Sequence, residues 1–146
     1  MDDDSVTAVV VDAALRLHRR VGPGLLETVY EALLARILES QGLRVARQKT
    51  VAFEIDGIHF RDGVRVDLLV EDRIVVELKS VEQLVPVHTK QVLTYLRVLN
   101  LPVGLLINFG GATLKEGLRR VVNDYSPPIS NPTIPPRLSV RLRGSA

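Results

Sequence analysis

Residues 64–80, VRVDLLVEDRIVVELKS, constrain the fold more than any other stretch, because two apolar runs of two-residue period are joined by a short polar turn. In the first run Val66, Leu68 and Val70 share one face and Arg65, Asp67 and Leu69 the other. In the second, Ile74, Val76 and Leu78 share one face and Val75, Glu77 and Lys79 the other. Glu71-Asp72-Arg73 turns the chain between them. The pattern predicts two adjacent strands whose shared far end brings Asp67, Glu77 and Lys79 together.

Charge at that place is costly. An ionised carboxylate taken out of water without a partner loses several kcal/mol or takes up a proton. A divalent cation removes that cost, and hard oxygen ligands at this spacing suit Mg2+ or Mn2+, which keep several waters and accept a substrate phosphate. A lysine beside them is placed to orient a water or to stabilise charge on a reacting phosphate. Taken alone, the triad also fits a Glu77/Lys79 ion pair at a strand end with Asp67 in a turn.

The rest of the chain frames these strands. Residues 5–21 carry Val6, Val9, Val10, Ala13, Ala14, Leu17 and Val21 on one helical stripe, with Asp4 or Ser5 as N-cap. Gly22-Pro23-Gly24 ends that helix, and a second from about 25 to 41 is expected to bury Leu26, Val29, Tyr30, Leu33, Leu34, Ile37 and Leu38. Glu27 falls in its first turn, where the helix dipole also favours an acid. Strands are expected over 44–55, 58–70 and 74–80, with Asp56-Gly57 as a hairpin turn. A helix over 87–100 places Val92, Leu93, Leu96 and Leu99 on its core side and His88, Gln91 and Tyr95 on a neighbouring face, where they also fit a wet flank. Residues 103–108 read as a central strand and 114–123 as a short closing helix. The expected order is ααβββαβα, an α/β mixed sheet flanked by helices.

Composition bounds the chemistry. At 146 residues and 46% hydrophobic, residues 1–125 suffice for one domain with a real core. The absence of cysteine excludes disulfides and thiolate sites, and three scattered histidines do not make a zinc cluster, so any metal sits on oxygens. The Met-Asp-Asp-Asp start is unlike a secretory leader, and no apolar run approaches the ~20 residues of a membrane span, which points to a soluble cytoplasmic protein. Residues 126–146 hold five of the eight prolines, three arginines and no acid, and read as an extended tail, either disordered or strapped across the body or a partner subunit. Without those arginines the formal charge of +2 disappears, so phosphate binding would rest on local charge from Lys49, Arg61, Arg65 and Lys90. Aromatic content of 4% argues against base stacking along an extended single strand. His18, at the end of the first helix, is more readily a satisfied interior histidine than a ligand.

Several motifs in order add to this reading: Leu17-His18, Gly24-Leu-Leu-Glu27-Thr-Val-Tyr30, Arg47-Gln48, Asp67, Glu77-Leu78-Lys79, Gln91-x-x-x-Tyr95 and Gly104-Leu-Leu-Ile-Asn108-Phe109-Gly110. Over roughly residues 6–110 the chain resembles the GxxExxY proteins, a group within the PD-(D/E)XK nuclease superfamily, with Leu17 in place of that group's valine. The resemblance implies a restriction-endonuclease-like sheet and a Mg2+- or Mn2+-dependent nuclease. It assigns Glu27 as the first acid, Asp67 and Glu77 as direct ligands, the Leu78 carbonyl as a further oxygen, and Lys79 as the catalytic lysine. Gln91 and Tyr95 resemble an element that contacts the nucleic-acid strand or supports the site in related exonucleases, and Tyr30, His88 and His18 join them as binding or supporting residues. The implied partner is nucleic acid, DNA ahead of RNA; a homodimer is a further expectation, and dimerisation through the apolar helical layer belongs to the non-catalytic alternative. The alternative is a nuclease-like fold kept as a non-catalytic nucleic-acid-binding or regulatory module, against which the complete set of acids and lysine argues.

Overall fold

In the computed structural model, which describes residues 1–124 and 139–142, two helices precede the sheet. Helix α1, Asp3–Val21, begins where the Asp2 carboxylate accepts a hydrogen bond from the Ser5 N–H at 2.8 Å. The N-cap is therefore Asp2, two residues before Asp4 and three before Ser5: it places Asp3 and Asp4 in the first turn, where the dipole favours them. His18, Arg19 and Arg20 occupy the last turn, and Gly22 closes the helix at φ 70°. Helix α2, Glu27–Ser40, starts two residues later than expected. Leu26 is its N-cap and, like Val29, is exposed rather than buried.

Three antiparallel strands follow: β1, Val45–Ile55, β2, Ile58–Val70, and β3, Ile74–Lys79. Asp56 and Gly57 turn the first hairpin with φ of 53° and 77°, the left-handed pair that matches strand twist. Helix α3, Pro86–Leu99, then crosses to β4, Val103–Asn108, which lies parallel to β3 in a register running from Ile74 opposite Val103 to Lys79 opposite Asn108. A parallel pair needs such a crossover.

Residues 114–123 depart from expectation. Instead of a closing helix they form a 3-10 turn, Lys115–Gly117, and an edge strand β5, Leu118–Val122, antiparallel to β4. The apolar spacing of Leu114, Leu118 and Val121 suits a helix, but the open edge of β4 offers backbone partners from Val103 to Ile107 that a helix would leave unpaired. Ser139–Leu142 of the tail add β6 to the free edge of β1, giving the order β5-β4-β3-β2-β1-β6. The intervening part of the tail, and its last residues, lie outside the described residues.

The sheet separates two cores. Val6, Val10, Leu17, Leu34 and Leu38 of α1 and α2 pack with Leu68, Val70, Ile74 and Val76 on one face. Val92, Leu96 and Leu99 of α3 pack with Leu69, Val75 and Leu106 on the other. Each such side chain contributes about 1.5–3 kcal/mol on full burial. Val66 joins the α3-side core rather than the face of Leu68 and Val70, so the strict alternation expected of β2 breaks at Asp67. Among the described residues no helix is long and apolar enough to cross a membrane.

Candidate active site

The ladder between β2 and β3 runs only from Leu68 opposite Val76 to Val70 opposite Ile74. One residue further on the strands part, and the two acids fill the opening. The Glu77 carboxylate accepts from the Asp67 N–H at 3.0 Å, and the Asp67 carboxylate accepts from the Leu78 N–H at 2.9 Å. Each acid thus satisfies a backbone donor of the other strand where the ladder has ended. Glu77 is 4% exposed, whereas Asp67 is half-buried and faces the opening. The Leu78 side chain is fully buried in the α1/α2 core, leaving its backbone as the only part at the site.

Electrostatics mark this pair as strained. Burial first, and the neighbouring Asp67 charge second, push the Glu77 carboxyl up to about 8, with the Asp67 N–H and Lys79 opposing only in part. Glu27, half-buried at the start of α2, is also raised, first by burial and then by Asp67, with Lys79 pulling the other way. Glu27, Asp67, Glu77 and Lys79 therefore share one electrostatic environment drawn from α2, β2 and β3. Lys79 donates from Nζ to Gln91 Oε1 at 3.4 Å, and Gln91 donates from Nε2 to Tyr95 Oη at 3.1 Å. Tyr95 has its phenol raised by burial and then by the Glu77 charge, which places the α3 flank against the same opening.

The remaining expected residues sit elsewhere. Tyr30 is buried, stacks on Phe109 with ring centroids 4.4 Å apart, and donates to the Gly22 carbonyl at 2.6 Å while accepting from the Leu25 N–H at 3.2 Å. It holds the loop that leads into Glu27. His18 donates from Nε2 to the Gly111 carbonyl at 3.1 Å and lies beside Phe109, so it ties α1 to the loop after β4. His88 accepts at Nδ1 from the Val85 N–H at 3.1 Å and so caps its own helix, α3.

Sequence reasoning gave no role to two side chains that shape the site. Asn108 binds both the N–H and the carbonyl of Val81, at 3.0 and 2.9 Å, and fixes the segment that leaves Lys79. Gly110 follows because a Cβ there would meet the Val81 carbonyl oxygen at 2.2 Å. Glu31, 3% exposed on α2, is the other; its signal was its place four residues after Glu27, on the same helical face.

Among the described residues no trio of histidine, cysteine or acid side chains forms a ready cage for a cation. The donor chemistry fits a hard divalent ion all the same. Asp67 and Glu77 offer adjacent carboxyl groups; burial, and after it the Asp67 charge, keeps Glu77 protonated near neutral pH, and a cation would take the place of that proton. Two carboxylates with water completing the shell are an ordinary Mg2+ arrangement.

A protein-family model described as the PD-(D/E)XK nuclease superfamily matches residues 4–121. The match runs from Asp4 in α1 to Val121 in β5 and includes every site residue named in this subsection. No curated protein and no solved structure matches the chain.

Proposed function

The chain belongs to the PD-(D/E)XK nuclease superfamily, and on that premise we propose that it hydrolyses phosphodiester bonds of nucleic acid in a reaction dependent on Mg2+ or Mn2+. The observation that carries the proposal is the parted end of β2 and β3, where Asp67 and Glu77 stand adjacent and Lys79 leads away beside them. The spacing Gly24-x-x-Glu27-x-x-Tyr30 further supports placing the chain with the GxxExxY proteins.

In this reading Asp67 and Glu77 would hold the cation, Glu27 would reach it directly or through water, and the Leu78 carbonyl would supply a further oxygen. The cation supplies positive charge that draws electron density from the scissile phosphate. Lys79, steadied by Gln91, donates hydrogen bonds to the attacking water or to a phosphate oxygen as charge develops. Tyr95 fixes the Gln91 amide by accepting from its nitrogen, so the amide oxygen faces Lys79. The half-buried site limits water around the reacting phosphate, which strengthens each of these contacts.

The test is cleavage of labelled single-stranded, double-stranded and flapped DNA and RNA with Mn2+, Mg2+ or EDTA, comparing the parent with identically purified Lys79→Ala. Metal-dependent cutting that disappears in the variant establishes the activity and names the substrate. Equal cutting by both preparations shows a contaminant. No cutting by folded parent moves the chain to the non-catalytic binding reading.

A further inference from the structure

Glu31 is a buried acid that the cleavage chemistry does not use. Arg47 donates to its Oε2 from Nε at 3.3 Å and from Nη2 at 3.1 Å, and Gln48 donates from Nε2 to its Oε1. Consecutive residues of a regular strand point to opposite faces. Arg47 and Gln48 nevertheless bind one carboxylate, because Gln48 has φ of 48°, a left-handed conformation that side-chain-bearing residues avoid and that persists only where its surroundings impose it.

The break falls at an informative place. Arg47 pairs with Leu68 and Lys49 with Val66, so Gln48 stands opposite Asp67, and the rung between them is missing. Gln48 Nε2 donates to Asp67 Oδ1 at 3.2 Å as well as to Glu31. A carboxylate only accepts, whereas an amide has a donating end and an accepting end. Glu31 therefore dictates that the nitrogen of Gln48 faces inward, and the second hydrogen on that nitrogen falls on Asp67. Asp67 is gripped at both oxygens, Oδ1 by Gln48 and Oδ2 by the Leu78 N–H.

We propose that Glu31, Arg47 and Gln48 are a positioning relay for Asp67: Glu31 and Arg47 lock the kink in β1, Glu31 orients the Gln48 amide, and Gln48 fixes the plane of the Asp67 carboxylate. The relay's importance for metal binding rests on the reading of Asp67 as a ligand, while the grip itself exists without metal. Outer partners of this kind typically change metal affinity about 10- to 100-fold when removed.

The experiment uses the full chain, 15N-labelled, as the parent, Gln48→Met and Glu31→Gln. Gln48→Met keeps length and removes both donors. Glu31→Gln keeps shape but offers its own N–H, so the Gln48 amide is free to turn over. In EDTA, the Leu78 amide reports the Asp67 grip and the Leu105 and Leu106 amides of β4 report the fold. The expected result is a shifted and faster-exchanging Leu78 amide in both variants with the β4 amides unchanged, and an Mn2+ dissociation constant raised at least about tenfold. An unchanged Leu78 amide in Gln48→Met overturns the relay, and so does Mn2+ affinity equal to the parent's. If Glu31→Gln disturbs the β4 amides, Gln48→Met alone decides. A loosened Leu78 amide in a protein whose parent binds no Mn2+ upholds the relay and rejects the metal reading of the site.

Discussion

The two ends of the β2–β3 pair use the same backbone to opposite effect. At the turn end, Leu68–Val70 and Ile74–Val76 are fully laddered and buried on both faces, and none of these six side chains is polar. At the other end, one residue beyond Leu68 and Val76, the ladder stops and side-chain carboxylates accept from backbone N–H groups of the opposite strand. The closed end supplies stability, and the parted end gathers two carboxyl groups in poor solvent, one of them protonated near neutral pH, which is the chemistry the proposed cation site uses. Parting is tolerated because β3 keeps its parallel register with β4 as far as Lys79 and Asn108, so one side of the strand remains fixed.

The comparison breaks most visibly at the closed end. Ile74→Ala removes a fully buried side chain that packs between sheet and helices, and should cost about 2–5 kcal/mol of stability in chemical denaturation. Mn2+ affinity of the folded fraction should stay at the parent value; a large fall there would mean the two ends are not separable.

At the parted end the expected signature is dependence on pH. The folded chain holds a proton on Glu77 up to about 8, whereas in the unfolded chain that group releases it near 4.5. Between those values the folded state binds more protons, so the stability of metal-free protein falls as pH rises across the window. Melting temperatures in EDTA should therefore decline from pH 5 to pH 8, and Glu77→Gln should flatten the decline. An added divalent cation should oppose it by displacing the proton. A parent profile that rises over the same window would contradict the placement of Glu77.

Smaller effects sharpen the same contrast. Tyr95→Phe removes the acceptor that orients Gln91, and should lower kcat about tenfold with KM little changed, since about 1.4 kcal/mol of transition-state stabilisation corresponds to that factor. Tyr30→Phe loses only the hydroxyl, bonded to the Gly22 carbonyl and the Leu25 N–H, with the ring still stacked on Phe109, and should cost about 1–2 kcal/mol of stability. Cleavage by that variant should remain within about twofold of the parent at temperatures where both are folded.

Much of this architecture was legible in the sequence where local chemistry and tertiary demand agree. Asp56-Gly57 tolerates the left-handed conformations that a tight hairpin needs, and the alternating runs around Glu71-Asp72-Arg73 admit little else than paired strands. Residues 114–123 misled because their apolar spacing is helical while their partner, the edge of β4, lies outside any local window. Gly117 is the local trace of that pairing: a Cβ there would meet the Asn108 carbonyl oxygen at 2.8 Å, so the chain must pass close to the end of β4. Periodicity puts Leu26 and Val29 on the buried stripe of α2, but it does not register where along a helix the packing partner ends, and both are exposed. At the site, Asp67, Glu77 and Lys79 were visible as types and spacing. The kink at Gln48 was not, because a left-handed glutamine depends on Glu31, a residue on another element.

The central claim is that the parted end of β2 and β3 binds a divalent cation through Asp67 and Glu77. Its most direct test is an Mn2+ binding isotherm near neutral pH for the parent and for Glu77→Gln, with folding of both checked by circular dichroism. The account predicts saturable binding by the parent and its loss in the variant at unchanged secondary structure. Equal Mn2+ affinity in the two proteins, or none in a folded parent, would contradict it.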